Sequence, residues 1–375
     1  MINRQDLVDS LLRVQHGLSP RAFIEQSSSF AFIDGWVCTY NEEVCCRTRV
    51  PGLKLSGAVN ARKLLDVLSN LTDTEVSLEA TTRELKIRGT RKGVDLRLEA
   101  EITLPIDQVE VPSNDDWKDL PENFLAGLSL VMGTAGNDSE EFFTVCVHCT
   151  QSYIETCDRK QATRYSFEKE KLPIQGRFLV RAKSVAPVIP MGLNLIAETD
   201  QWVHFSNRRP AADSATFRKM IYSARRHLDD YQTDRITQMI ASFQGEPAVL
   251  PQGAAEAAKL GAVFSSDDKD DNKVLVSLSN RKMIVRGEGA AGRSWAEMDM
   301  SYSGPDVSFR ISPEMLQTLI KEKKTECEVG GNKLRVVGDH WTYLAVLGKT
   351  EAVKDAPEAP AGADDSPVED TRDEE

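Results

Sequence analysis

The sequence predicts an α+β protein of three repeated domains, each made of two helix-plus-strands halves, and the prediction rests on two registers of self-similarity and on length. The first register is a short amphipathic helix at residues 59–68 followed by alternating strands at 75–79 and 84–88. It recurs as 180–189 with 193–197 and 202–205, and as 311–320 with 326–329 and 333–337, at offsets of 121 and 131. The second register precedes each of these. Residues 4–14 carry Leu7, Val8, Leu11 and Leu12 at helical spacing before strands near 30–33 and 36–39. Residues 122–131 then precede strands at 142–147 and 153–156, and 252–261 precede 274–278 and 283–286, at offsets of 117 and 130. The two registers agree within ordinary loop variation, so the chain reads as six halves in a row. Its 375 residues also exceed the roughly 250–300 at which one core stops growing.

Polar, proline-bearing seams at 112–121 and 245–251 divide the units. Domains are expected at 1–118, 119–247 and 248–350. Beyond Thr350 the composition turns to Ala, Pro, Gly, Asp and Glu, so 351–375 is expected to be a disordered acidic tail. It holds ten acids against Lys354 and Arg372, a net of −8, which leaves −4 of the chain's −12 for residues 1–350. The body is therefore only mildly acidic and leaves room for a local basic face. No apolar run approaches the ~18–20 residues of a membrane span, and the start lacks a basic segment followed by an apolar block. A cytoplasmic protein is expected. The seven cysteines, an odd number in apolar surroundings, suit buried thiols better than a disulfide framework.

The chemical motifs have structural explanations. Cys146-Val-His-Cys149 has the gap of a zinc knuckle, but no second ligand pair stands at a matching spacing, and strand register turns Cys149 away from Cys146 and His148. Gly287-Glu-Gly-Ala-Ala-Gly292 spells the dinucleotide fingerprint after a strand, but residues 293–302 alternate as a strand does and do not supply the helix that must receive the pyrophosphate. These glycines read as a hairpin. The acidic run 267–271 lacks the Gly and closing Glu of a calcium loop and reads as a solvated turn. No His pair, nucleophile elbow or phosphate loop occurs, so neither catalysis, metal nor cofactor is expected. More informative are cations on the repeated helices: Arg13 and Arg21 in or after the first, Arg62 and Lys63, then Lys183, then Lys321 on the equivalent later ones. They sum to a positive wall if the units close into a ring, and otherwise serve only solubility.

With these features in place, residues 1–350 resemble the sliding clamp, the beta subunit, of bacterial replicative DNA polymerase. The closest stretches are Val59-Asn-Ala-Arg-Lys-Leu-Leu-Asp-Val-Leu-Ser-Asn-Leu71 with Val76-Ser-Leu-Glu-Ala80, and Ser303-Gly-Pro-Asp-Val-Ser-Phe-Arg-Ile311 with the helix and last strand after it. The resemblance implies a non-enzymatic processivity factor: a head-to-tail homodimer ring of six domains, helices inside and sheets outside, encircling double-stranded DNA. It implies DNA-facing roles for Arg21, Arg62, Lys63 and Lys183, with Arg13 and Lys321 alongside. It also implies that DNA polymerase and clamp loader dock short peptides in a cleft, whose pieces here are Cys157, Ala162, Tyr231, Leu344, Val346 and Leu347. The usual second-domain and C-terminal cleft motifs are altered, as expected of a divergent clamp such as one borne by a phage or plasmid. The tail starts beside that cleft and is expected either to repel acidic partners and DNA there or to aid solubility. The alternative function is a repeat scaffold that binds proteins without DNA.

Overall fold

The computed structural model describes residues 1–20, 24–136, 141–207, 220–228, 231, 233–265, 273–311, 313–321 and 325–346. Arg21, Leu347, the acidic run 267–271 and the segment 351–375 lie outside the described residues.

The first unit begins with β1 (Ile2–Asn3) and α1 (Arg4–Val14), then a meander of β2 (Ser29–Ile33), β3 (Trp36–Tyr40) and β4 (Val44–Arg49). β5 (Gly57–Asn60) and α2 (Ala61–Asn70) lead into a second meander, β6 (Glu75–Ala80), β7 (Glu84–Arg88) and β8 (Gly93–Arg97). The strands that precede the helices are exchanged. β5 pairs with β2 of the first meander and β1 with β6 of the second, so each half is a four-stranded antiparallel sheet. Both helices start on an asparagine whose side chain accepts a backbone N–H, Asn3 from Asp6 and Asn60 from Lys63, at 3.1 Å each. Such a cap stabilises a helix by about 1 kcal/mol. α1 buries Leu7, Leu11 and Val14, and α2 buries Leu64 and Leu68, in one core with the sheets. Each fully buried leucine contributes on the order of 2 kcal/mol.

The second unit repeats the plan with β9 (Lys118–Asp119), α3 (Phe124–Val131), β10 (Cys146–Cys149), β11 (Tyr153–Cys157), β12 (Gln161–Ser166) and β13 (Phe178–Arg181). Then come α4 (Ala182–Val185), α5 (Val188–Met191), β14 (Leu195–Glu198), β15 (Trp202–Ser206) and β16 (Met220–His227). Its second helix is split into two short turns because Pro187 stands where an unbroken helix would need a backbone donor. The strand expected at 142–147 also differs: Phe142–Val145 form a 3-10 turn and the strand starts at Cys146. An additional helix, α6 (Thr233–Ala241), follows before the third unit.

That unit comprises β17 (Glu246–Val249), α7 (Ala254–Ser265), β18 (Val274–Ser279), β19 (Lys282–Gly289), β20 (Gly292–Asp299), β21 (Val307–Ile311), α8 (Pro313–Lys321), β22 (Glu326–Gly330), β23 (Lys333–Val337) and β24 (Trp341–Val346). β9 pairs with β14 and β17 with β22, as β1 does with β6, so both seams carry the opening strand of the unit that follows. The expected limits at 119 and 248 fall inside these strands. The glycine motif lies in the β19–β20 hairpin, where Gly289 pairs with Gly292. A Cβ on Gly287 would come 2.0 Å from the carbonyl oxygen of Gly261, so the glycine lets α7 lie directly on β19.

Units join through their last meander strands. β4 pairs with β16 from Thr48↔Met220 to Val44↔Ala224, and β12 with β24 from Gln161↔Ala345 to Tyr165↔Trp341. Each junction thus couples a first-half sheet to a second-half sheet. Among the described residues, two equivalent edges remain unpaired: β8, of a second half, and β20, of a first half. No described helix is long and apolar enough to cross a membrane.

Candidate functional site

The junction of β12 with β24 forms the floor of a cavity of about 440 Å³. Ala162 faces Leu344 across that junction, and both are buried. Val346 extends the floor at the end of β24, and Cys157 adds the end of β11. Tyr231 and the α6 residues Ile236 and Met239 make the opposite wall, with Phe143 beside them. Five of the six residues expected at a cleft, Cys157, Ala162, Tyr231, Leu344 and Val346, surround this one space, and the sixth, Leu347, is next in the chain. The rim is charged. Arg159, Lys160 and Arg235 stand around it with Glu141, and Glu141 accepts from Arg159 at 3.0 and 2.7 Å.

The apolar wall is braced from below. The Tyr231 ring stacks on His148 at 4.2 Å between centroids and meets Phe143 edge-on, while its hydroxyl contacts Cys157 Sγ at 3.5 Å. Beneath it, Glu155 is fully buried and divides its carboxylate between His148 Nδ1 at 3.2 Å and Arg164 Nε at 2.7 Å. Arg164 lies over the Tyr153 ring and donates to Thr237 on α6 at 3.0 Å. Arg335 of β23 donates to the Ile240 carbonyl at the same helix's far end. Asp158 caps the β11–β12 turn, accepting from the backbone of Lys160 and Gln161, and takes Lys273 of the third unit at 3.1 Å. The cleft is therefore built by both units together.

This chemistry is that of binding. Burial raises the Tyr231 hydroxyl and, with the neighbouring Glu155, the Cys157 thiol, so both remain protonated at neutral pH. All seven cysteines are free thiols, six of them buried. Cys146 and His148 lie on the Tyr231 side of β10, whereas Cys149 enters the main core.

The helix-borne cations are not gathered at this cleft. Arg13 on α1, Arg62 and Lys63 on α2, Lys183 on α4 and Lys321 at the end of α8 are all exposed on helices whose other side is buried. Arg62 and Lys63 occupy the first turn of α2, where the helix dipole disfavours positive charge. Helix stability does not explain them. The third unit has Glu314 at the position equivalent to Arg62 and Lys183.

Arg159 and Lys160 lie inside the segment 157–162 that the resemblance assigns to the cleft, whereas sequence reasoning missed Phe143, Arg235 and the whole of α6. Ile236, Ile240 and Phe243 at helical spacing are the signal that could have found that helix.

Six helix-and-meander halves, joined end strand to end strand with a cleft at the second junction, are the architecture of a DNA sliding clamp. The chain has that fold, and solved structures of the bacterial DNA polymerase III beta subunit match it over nearly their full length. A Eubacterium rectale putative beta subunit superposes with a TM-score of 0.71 at 12% identity, covering 93% of this chain and 99% of that one. The Pseudomonas aeruginosa sliding clamp bound to griselimycin gives 0.70 at 13%, covering 93% and 98%. The Helicobacter pylori beta clamp bound to a DNA ligase peptide gives 0.70 at 11%, covering 93% and 99%. In sequence, the chain matches no protein-family model and no curated protein.

Proposed function

We propose that this protein is a DNA sliding clamp, a non-catalytic processivity factor that closes as a head-to-tail homodimer around double-stranded DNA. DNA polymerase and clamp loader engage it through short peptides in the cleft. Its three domains are those of the repeat, with the second opening at β9 and the third at β17. The observation that carries this reading is the pattern of junctions. Among the described residues, every junction joins a first-half sheet to a second-half sheet, and the two equivalent last-strand edges left open, β20 and β8, are one of each kind. A second copy satisfies both, and a heterologous contact that closes by rotation ends in a ring instead of a filament.

The surface at the β20 end supports the same closure. At the second junction, Gly133, just past α3, lies against Met315 of α8. The repeat offset of 130 puts Val263 of α7 in the place of Gly133, and Val263 is 64% exposed, with Leu260 52% exposed one turn earlier. The equivalence places α2 of the next subunit against this exposed apolar surface. Light scattering should give twice 41.7 kDa for the protein and about the monomer mass for the Leu260→Arg/Val263→Arg variant. A variant that remains dimeric would remove this interface from the reading.

In the ring, the helix faces line the hole, and Arg13, Arg21, Arg62, Lys63, Lys183 and Lys321 meet phosphates without reading bases. The decisive experiment loads the protein on nicked circular DNA with a matching clamp loader and then linearises the circle. Retention on the circle and loss from the linear form is the expected result; equal loss from both would exclude a topological link. Arg62→Glu/Lys63→Glu should weaken association with all sequences alike and flatten the salt dependence, whose slope is about −0.9 per neutralised phosphate.

A further inference from the structure

We infer that the acidic segment 351–375 is an intramolecular ligand of the cleft's basic rim and competes there with incoming peptides. The inference rests on the reading of this cavity as the peptide cleft and adds a resident competitor to it. Three observations carry it.

The first is the tether. Val346, the last described residue, lines the cavity, and its N–H donates to the Lys160 carbonyl, so the chain leaves β24 alongside the rim. Only Leu347-Gly-Lys-Thr350 separate it from Glu351, and Asp355 and Glu358 come within eight more residues. At up to about 3.3–3.6 Å per residue, the first acids have the span to meet Lys160, whose carbonyl the Val346 N–H already contacts.

The second is charge. Among the described residues lining the cavity, Arg159, Lys160 and Arg235 are cations and Glu141, which accepts from Arg159, is the one carboxylate. The segment brings a net of −8. A short tether holds it at an effective concentration on the order of millimolar, so weak ion pairs suffice for occupancy.

The third is composition. Apart from Val353 and Val368, the segment offers only alanines and prolines as apolar groups. It can satisfy the rim without filling the apolar space between the floor at Ala162 and Leu344 and the wall at Ile236. A partner with apolar anchors therefore displaces it, and rising salt releases it.

The test titrates a fluorescein-labelled peptide of residues 351–375 into full-length protein, read by anisotropy at low and high salt. Three forms are compared: wild type, a full-length variant whose ten tail acids are changed to their amides, and that variant with Lys160→Glu/Arg235→Glu. The amide-tail protein should bind the peptide about tenfold or more tighter than wild type, because the resident competitor is gone. Binding should weaken with salt and vanish with the rim reversal. Equal binding by wild type and the amide-tail variant, or binding that survives the reversal, would overturn the proposal. A peptide from the matching DNA polymerase is titrated in parallel on the wild type and on Leu344→Arg. If Leu344→Arg leaves polymerase-peptide binding unchanged, the cleft reading fails, whereas tail-peptide binding lost on rim reversal still establishes the tail's contact.

Discussion

Replacing Glu155 with alanine should cost the protein about 3–5 kcal/mol, because it removes the buried carboxylate that Arg164 and His148 share. Glu155 is completely inaccessible, and the Arg164 side chain it holds is only 12% exposed. Without the carboxylate, the guanidinium keeps its seat over Tyr153 and its bond to Thr237 but has lost the charge that offsets its desolvation. His148 loses its Nδ1 partner at the same time, directly under Tyr231. The damage therefore travels upward into the cleft wall. Urea unfolding measures the loss. A cost under about 1 kcal/mol, the range of exposed ion pairs, would mean that water reaches this network and that α6 is held by other contacts.

The repeat was legible in the sequence because each half encodes the same local physics. Asn3 and Asn60 cap helices whose apolar stripes, Leu7–Leu11 and Leu64–Leu68, have helical spacing, and each strand alternates toward that stripe. What escaped was whatever lies outside the repeat or is too short to have a period. β9 has two residues and β17 four, with Pro247 among them, so they read as linkers although they pair with β14 and β22. α6 belongs to no repeat and went unseen. The cleft was partly legible for a related reason. Ala162 and Leu344 sit in strands whose pairing brings them together, whereas Arg235 reaches the rim only through α6, and Phe143 through a 3-10 turn that reads as strand. The exchange of β1 and β5 between half-sheets has no sequence signature, since β1 has two residues and β5 four, too few for a period to favour either sheet.

Acid should destabilise this fold through His204 well before most carboxylates titrate. His204 on β15 is fully buried, hydrogen-bonded through Nδ1 to Ser223 at 2.8 Å and through Nε2 to Thr199 at 3.0 Å, with Trp117 edge-on. Burial, with a smaller contribution from the Arg47 charge, lowers its pKa from 6.5 to about 3. The folded state therefore holds the ring neutral while the unfolded chain takes up a proton below pH 6.5. The associated stability is complete above the unfolded pKa and is lost progressively as pH falls from 6.5 toward 3. At 1.36 kcal/mol per pH unit, the loss between pH 7 and pH 5 is about 2 kcal/mol from this residue alone. His204→Gln keeps a polar side chain but cannot titrate. It should be less stable than wild type at pH 7, and the gap should shrink by about 2 kcal/mol at pH 5, because only the wild type bears the protonation cost. Urea unfolding of both proteins at the two pH values measures this difference and cancels the titration of every other group. A gap that is the same at pH 5 and pH 7 would mean that folded His204 takes up its proton over the same pH range as in the unfolded chain, with Ser223 or Thr199 accepting from it.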